Sequence, residues 1–350
     1  MGESKLGKYL GTMVGYMTGT GVCYGVWLGD ELGLYRAMSG AGPMTPAEVA
    51  AAAETNPRLT AEWLRQQAAA GLIEFDPDAD TFTLSEAGTM ALADDTSPVF
   101  MARGMTAMAS FWMDMDKVAA AMRGDGAVAW GDHHPHLFTG TEWFFRAAYR
   151  GKLTSEWIPA LDGVVDKLSA GAAVADIGCG HGASAVVLAQ AYPNSRIHGF
   201  DFHAESIQTA GKRAAEAGVQ DRVNFEVAGA KDYPGRFDLI CFFDCLHDMG
   251  DPLGIARHAH TRLAEGGSIL LVEPFALDGP RNVSENPMAA MMYTASLAVC
   301  TPNSLSQEVG LGLGAQAGPA RLQEIFAAAG FSRFDVVATS HMNMVVQVRV

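Results

Sequence analysis

The chain has 350 residues, 49% of them apolar, 18% charged and 9% aromatic. It is longer than one domain usually is, can bury a large core, and is neither disordered, collagen-like nor a disulfide scaffold. With 24 Lys and Arg against 39 Asp and Glu, its formal charge is −15, which disfavours nucleic acid and anionic membranes as partners.

The five cysteines (Cys23, Cys179, Cys241, Cys245, Cys300) are scattered without paired metal-ligand spacing. They suit a reducing compartment. No basic-then-apolar leader opens the chain, so a cytoplasmic location is expected. Residues 9–29 carry no charge and include six glycines, a length that would just span a bilayer. Gly11, Gly15 and Gly19 recur every four residues, as do Gly21, Gly25 and Gly29. On a helix this spacing gives a flat face that admits another backbone closely, and the segment reads as a soluble packing or dimerisation helix. Thr45 as N-cap and Pro46 in the first turn open an alanine-rich helix over 47–53. A turn at Asn56-Pro57 leads to a second helix, from 59 or 60 to 70, stopped by Gly71. Residues 72–75 and 81–84, around Asp76-Pro77-Asp78, read as a hairpin. Helix, turn, helix and wing form a winged-helix pattern. A DNA reader needs a basic second helix; here Arg58 and Arg65 face Glu62, and the wing carries Asp76, Asp78 and Asp80.

From 97 to about 170 the pattern is helical and rich in methionine and aromatics, among them Trp112, Phe145 and Tyr149. Such side chains suit either ordinary core or the wall of a pocket for an apolar ligand. His133, His134 and His136 lack acidic or cysteine partners at ligand spacing and read as a polar loop, not a metal site.

From 172 strands and helices alternate. Strands are predicted over 172–176, 196–200, 223–227, 237–243 and 268–272, and helices over 183–191, 204–217 and 252–264. This order implies a parallel sheet covered on both faces, with ligands bound outside the carboxyl ends of its strands. Asp176, Asp201, Asp244 and Glu273 all fall at predicted carboxyl ends. Gly178, Gly180 and Ala183 satisfy a loose dinucleotide fingerprint. Gly182, however, makes the loop Gly-x-Gly-x-Gly, and Asp176 stands where a pyrophosphate would otherwise approach, a like-charge contact. A carboxylate there suits a ligand bearing an ammonium group. Asp201, nineteen residues after Gly182, can hold two ribose hydroxyls.

The run Asp176-Ile177-Gly178-Cys179-Gly180-His181-Gly182 resembles motif I of class I S-adenosylmethionine-dependent methyltransferases, and Asp201 resembles their ribose acid. The likeness extends from about 168 to 350, with apolar runs at 334–338 and 344–350 as the hairpin closing the sheet. The front half is similar to the winged-helix dimerisation domain of small-molecule O-methyltransferases, with 29–35 as its entry. Leu246-His247-Asp248-Met249-Gly250-Asp251 lies where that family carries its catalytic histidine. The resemblance implies an α/β fold: a Rossmann-like seven-stranded methyltransferase sheet with an N-terminal, mainly helical winged-helix domain. The division expected is a winged-helix and dimerisation domain over 1–96, a helical connector and pocket wall over 97–167, and the S-adenosylmethionine-binding domain over 168–350.

In that reading His247 is the general base, with an ordinary pKa close to working pH, and Glu273 orients it. Asp176, Gly178, Cys179, Gly180, Gly182, Asp201, Phe202, Ala230, Lys231, Phe243 and Asp244 contact the methyl donor, Phe202 by stacking on adenine. Trp112, Phe145, Tyr149, Met288 and Met292 surround a small apolar or aromatic acceptor. Three positions depart from the family pattern: Ala230 replaces an acid, Met249 a tryptophan, and Gln316 a glutamate expected before the last helix. A homodimer is expected, and no metal. The alternatives are N- or C-methylation driven by proximity, a winged-helix regulator that senses a ligand, and a nicotinamide dehydrogenase.

Overall fold

Residues 4–350 are described by a computed structural model. It divides into two units, Met1–Ser110 with His136–Ala148, and Phe111–Pro135 with Tyr149–Val350. The stretch 97–167 is thus shared between them.

In the first unit the uncharged segment lies within one helix, Lys5–Glu31, N-capped by Ser4, whose hydroxyl accepts from the Gly7 amide at 3.0 Å. Only its last two turns are buried, through Gly25, Val26, Gly29 and Asp30. There the absence of side chains matters. The Trp63 indole donates to the Gly25 carbonyl at 2.7 Å, and a Cβ on Gly29 would lie 2.6 Å from the Trp63 ring. A Cβ added at Gly11, Gly15, Gly19 or Gly21 would meet nothing within 4 Å. Among the described residues no helix is long and apolar enough to cross a membrane.

Thr45 and Glu48 form a full capping box on helix Pro46–Ala52. The next helix, Pro57–Ala69, starts two to three residues earlier than periodicity predicts, because Asn56 caps it and Pro57 fills its first turn. Strands β1 (Glu74–Asp76) and β2 (Thr81–Thr83) pair antiparallel as the wing. Tyr35, Met38, Trp63, Leu64, Ile73 and Phe82 form the core of this unit. Arg58 on the second helix is paired with Glu62.

The second unit is built on seven strands: β3 (Ala173–Ile177), β4 (Arg196–Asp201), β5 (Val223–Val227), β6 (Phe237–Phe243), β7 (Leu263–Pro274), β8 (Arg333–Thr339) and β9 (Asn343–Arg349). Their order is β5-β4-β3-β6-β7-β9-β8. β3 to β7 run parallel, and β9 enters antiparallel between β7 and β8. Helices Ala183–Ala191, Ala204–Glu216, Pro252–Arg262 and Pro319–Ala328 supply crossovers. The apolar runs of β6 and β7 are buried almost throughout, as expected of parallel strands covered on both faces. β7 begins five residues before the predicted strand. Gly266-Gly267 reads as a break, but the chain passes through it as a register shift: Phe237 faces Leu263 while Leu239 faces Ser268. The strand order reverses beside β3, the point outside whose carboxyl ends such sheets bind ligands.

Candidate functional site

The loop from β3 into helix Ala183–Ala191 turns by three glycines with left-handed φ: Gly178 (69°), Gly180 (51°) and Gly182 (77°). Other residues rarely adopt that conformation. Asp176 is buried in β3; its Oδ2 accepts from the Ser184 hydroxyl at 2.6 Å, and its Oδ1 is buried with no hydrogen-bond partner. Burial pushes this carboxyl up to about 7, against the Ser184 hydrogen bond. A buried acceptor without a donor is costly, so the free oxygen suits a ligand that brings N–H groups and positive charge. Asp201 ends β4, its two oxygens accepting from the amides of Gly180 at 2.9 Å and His203 at 2.8 Å. Burial raises its pKa, while those amides pull the other way. Each oxygen keeps a second lone pair for a hydroxyl. Phe202, next in the chain, is 58% exposed and leaves a face open for stacking. Cys179 is buried, and burial raises its thiol pKa.

Asp244, just past β6, holds a left-handed φ of 50°. Asn343 of β9 donates to its Oδ1 at 2.8 Å, while its Oδ2 is buried without a partner. Burial and the neighbouring Glu273 keep its pKa well above the usual range. Phe243 lies under Tyr149, with ring centres 5.4 Å apart, and near Trp157.

The short helical turn Leu246–Asp248 follows. His247 is buried, and its Nδ1 is hydrogen-bonded to Oε2 of Glu273. The other oxygen of Glu273 accepts from the Leu246 amide at 3.1 Å. One buried carboxylate thus fixes both the ring and the backbone that carries it. Burial opposes a charge on His247, but Glu273 and Cys300 beside it carry its pKa well above 6.5. This segment packs on the glycine loop: the Cys245 thiol donates to the Ile177 carbonyl at 3.2 Å. A Cβ on Gly178 would lie 3.1 Å from the Cys245 sulfur and 3.2 Å from the Met249 methyl. Asp248, half-buried, is pushed up to about 7, chiefly by desolvation.

Ala230 packs at the edge of the core. Lys231 is bound to Asp251 at 3.1 Å and Glu308 at 2.9 Å. Among the acceptor-wall residues, Tyr149 and Met292 are buried, Met288 caps helix Ala289–Ala295, and Trp112 is 63% exposed. Phe145 belongs to the first unit, where its ring meets Phe144 edge-on. Gln316, at the position of the expected glutamate, accepts from Asn282 at 2.9 Å and Asn286 at 3.1 Å. His133 is no loop residue at large: it is buried, with Nδ1 3.1 Å from Asp114. Among the described residues no group of three or more His, Cys, Asp and Glu could hold a metal ion. Asn343, Cys300 and Ser184 escape sequence reading, because only strand pairing and packing bring them to this edge.

Residues 168–330 match the model of a methyltransferase-domain family, and residues 21–93 match that of the Rv2258c-like winged helix-turn-helix domain. The 27-O-demethylrifamycin SV methyltransferase of Amycolatopsis mediterranei is 30% identical over 154 residues, 43% of this chain and 54% of that enzyme. The chain therefore spans about half the length of that relative. Human N-acetylserotonin methyltransferase, solved with S-adenosylmethionine, superposes with a TM-score of 0.72 over 100% of this chain and 99% of its own, at 21% identity. An O-methyltransferase family protein of Burkholderia thailandensis gives 0.72 over 99% and 98%, at 17% identity. At these identities the structural likeness is one of fold. The chain therefore carries a methyltransferase domain over 168–330 behind a winged helix-turn-helix domain over 21–93.

Proposed function

We propose that the protein transfers a methyl group from S-adenosylmethionine to a hydroxyl of a small, largely apolar or aromatic metabolite, with His247 as general base. The observation that carries this reading is the buried His247–Glu273 pair on the segment packed against the glycine loop. When bound, S-adenosylmethionine supplies a methyl group already activated on a positively charged sulfur. The residues of the carboxyl edge fit it. Asp176 offers a partnerless oxygen to the ammonium, Asp201 accepts from the ribose hydroxyls, and Phe202 offers its ring to the adenine. The backbone of Gly178, Cys179, Gly180 and Gly182 leaves room for close approach. Phe243 and Asp244 carry the same surface toward His247. Ala230 and Lys231 border the adenine end, with Lys231 held by two acids.

Glu273 engages Nδ1, so Nε2 is the nitrogen left to take the acceptor's proton. The same carboxylate stabilises the imidazolium that results. His247 must be neutral before it can act, and positive charge held at the neighbouring acids favours that loss of its proton. Transfer is therefore expected to rise with pH through the His247 pKa. Tyr149 over Phe243, with Met288, Met292 and Trp112, supplies apolar surface for the acceptor.

The reading includes a homodimer, supported by the exposed apolar residues of the first helix: Leu6, Tyr9, Leu10, Val14 and Met17 are each more than half exposed. Sedimentation that shows a monomer at micromolar concentration removes this part. Calorimetry with S-adenosylhomocysteine and with NAD tests the cofactor; transfer of a labelled methyl group to naphthols and hydroxyquinolines tests the reaction. Binding of NAD with no response to S-adenosylhomocysteine overturns the proposal.

A further inference from the structure

Resting on the reading of His247 as base, we infer that residues 300–314 are the positioning element of that base, holding it through its backbone. The turn that carries His247 leaves four consecutive carbonyls, 247 to 250, pointing away from the sheet's own hydrogen bonds. Every one is taken by this one segment. The Gly314 amide donates to the His247 carbonyl at 3.1 Å. The side-chain amides of Asn303 and Gln307 both donate to the Asp248 carbonyl at 3.1 Å. The Ser304 hydroxyl donates to the Met249 carbonyl at 2.9 Å, and the Leu311 amide to the Gly250 carbonyl at 2.9 Å. Gln307 also accepts the Gly250 amide at 3.0 Å.

The segment is shaped for this contact. A Cβ on Gly250 would stand 2.7 Å from the Glu308 carbonyl oxygen, so only glycine admits such close backbone approach. Opposite it, Val309 takes a left-handed φ of 74°, and Gly310, Gly312 and Gly314 do likewise. A non-glycine residue in that conformation is strained and persists only where its surroundings hold it. At the start of the segment, Cys300 is a neighbour that helps raise the His247 pKa. Asn303 and Ser304 are buried, whereas Gln307 is half-buried and therefore open to substitution without loss of the fold. Glu273 holds the ring and the Leu246 amide before it; this segment holds the carbonyls of 247–250.

The test uses the full chain with S-adenosylhomocysteine as ligand. Gln307→Met removes three hydrogen bonds, two of them to 248–250, while keeping the side chain's length; Asn303→Leu, nearly the same size and uncharged, removes the donor to the Asp248 carbonyl together with the acceptor of the Trp130 amide. Both variants are expected to bind S-adenosylhomocysteine within about twofold of the parent, to shift or broaden the His247 ring-proton resonance, and to lower kcat on a naphthol acceptor roughly 10- to 100-fold with KM nearly unchanged. An unaltered His247 resonance in variants that still bind S-adenosylhomocysteine overturns the inference. The resonance is read without turnover, so it separates this outcome from a failure of His247 as base, which full activity in His247→Ala would reveal.

Discussion

Asp30 in the first unit and the two acids Asp176 and Asp244 at the sheet edge of the second are treated in opposite ways. In the first, Asp30 is saturated: Arg103 engages both its oxygens at 2.8 and 3.1 Å, and Arg36 adds a third bond at 3.1 Å. Arg103 in turn lies over the Trp143 ring at 4.3 Å. In the second, Asp176 and Asp244 each keep one buried oxygen with no partner. Burying a charge is costly unless it is paired. The closed arrangement therefore holds a fold together, and the open one is tolerated where something else completes it. Three of the four acids at the carboxyl edge, Asp176, Asp201 and Asp244, have pKa values raised chiefly by burial. Perturbed groups gathered at one edge mark a site of chemistry.

The largest effect is expected from His247→Ala. Its partner Glu273 is buried with it, and general base catalysis is worth roughly 10²–10⁴ in rate. Methyl transfer should fall by that factor while S-adenosylhomocysteine affinity, measured by calorimetry, stays within about threefold. Turnover that survives would move the reaction to proximity alone, the case of an N- or C-methyl acceptor.

Next comes the closed carboxylate. Asp30→Asn breaks a buried ion pair, which costs about 3–5 kcal/mol when both partners are dry. Arg103 and Arg36 are 25% and 46% exposed, so about 2 kcal/mol remains after screening. The first unfolding transition in urea should move by that amount, with S-adenosylhomocysteine affinity unchanged. A matching loss of affinity would join two regions that the comparison separates.

How much of this was legible in the sequence follows the same division. Strands β5 and β6 and the glycine-loop helix fall where periodicity puts them, because each is a short apolar run closed by its own punctuation. Asp176 and Asp201 are readable as candidates from their spacing to the glycines. His247 needed the resemblance, since a single histidine after a strand carries no local signal. Asn343, 99 residues from Asp244, and the segment 300–314 were invisible. Their roles come from pairing across the sheet and from hydrogen bonds to carbonyls, which any polar side chain can make. The glycines at 266–267 misled in the opposite sense, because neighbours on both sides of β7 keep the strand running through them. His133 gives no local sign of its acid, because Asp114 lies 19 residues earlier in the chain.

The open carboxylate gives the third expectation. Asp176→Asn keeps the bond from Ser184 possible but removes the charge proposed to meet the ligand's ammonium. Affinity for S-adenosylhomocysteine should drop roughly tenfold, about 1.4 kcal/mol. Stability at pH 8 should hold or rise, since an unpaired buried charge has gone. A clear loss of stability would mean that Asp176 is a helix cap and nothing more.

The smallest effect sharpens the same point and needs no mutation. The carboxyl of Asp176 stands at about 7 in the folded chain, raised from 3.8 chiefly by burial. An acid whose folded pKa is raised favours its protonated form. That contribution to stability is fully present below 3.8 and is lost as pH rises through 7. Ligand binding runs the other way. An ammonium beside the carboxylate favours ionisation, so the complex holds the charged form at lower pH than the free protein does. Affinity for S-adenosylhomocysteine should therefore be full above about pH 8 and fall by up to about tenfold on going down to pH 6. Calorimetry across this range should also record proton release on binding near pH 7. In Asp176→Asn the slope due to this carboxyl should vanish, leaving only what Asp201, Asp244 and Asp248 contribute. A parent curve that stays flat between pH 6 and 8 would mean that the free oxygen of Asp176 never meets the ligand's positive end.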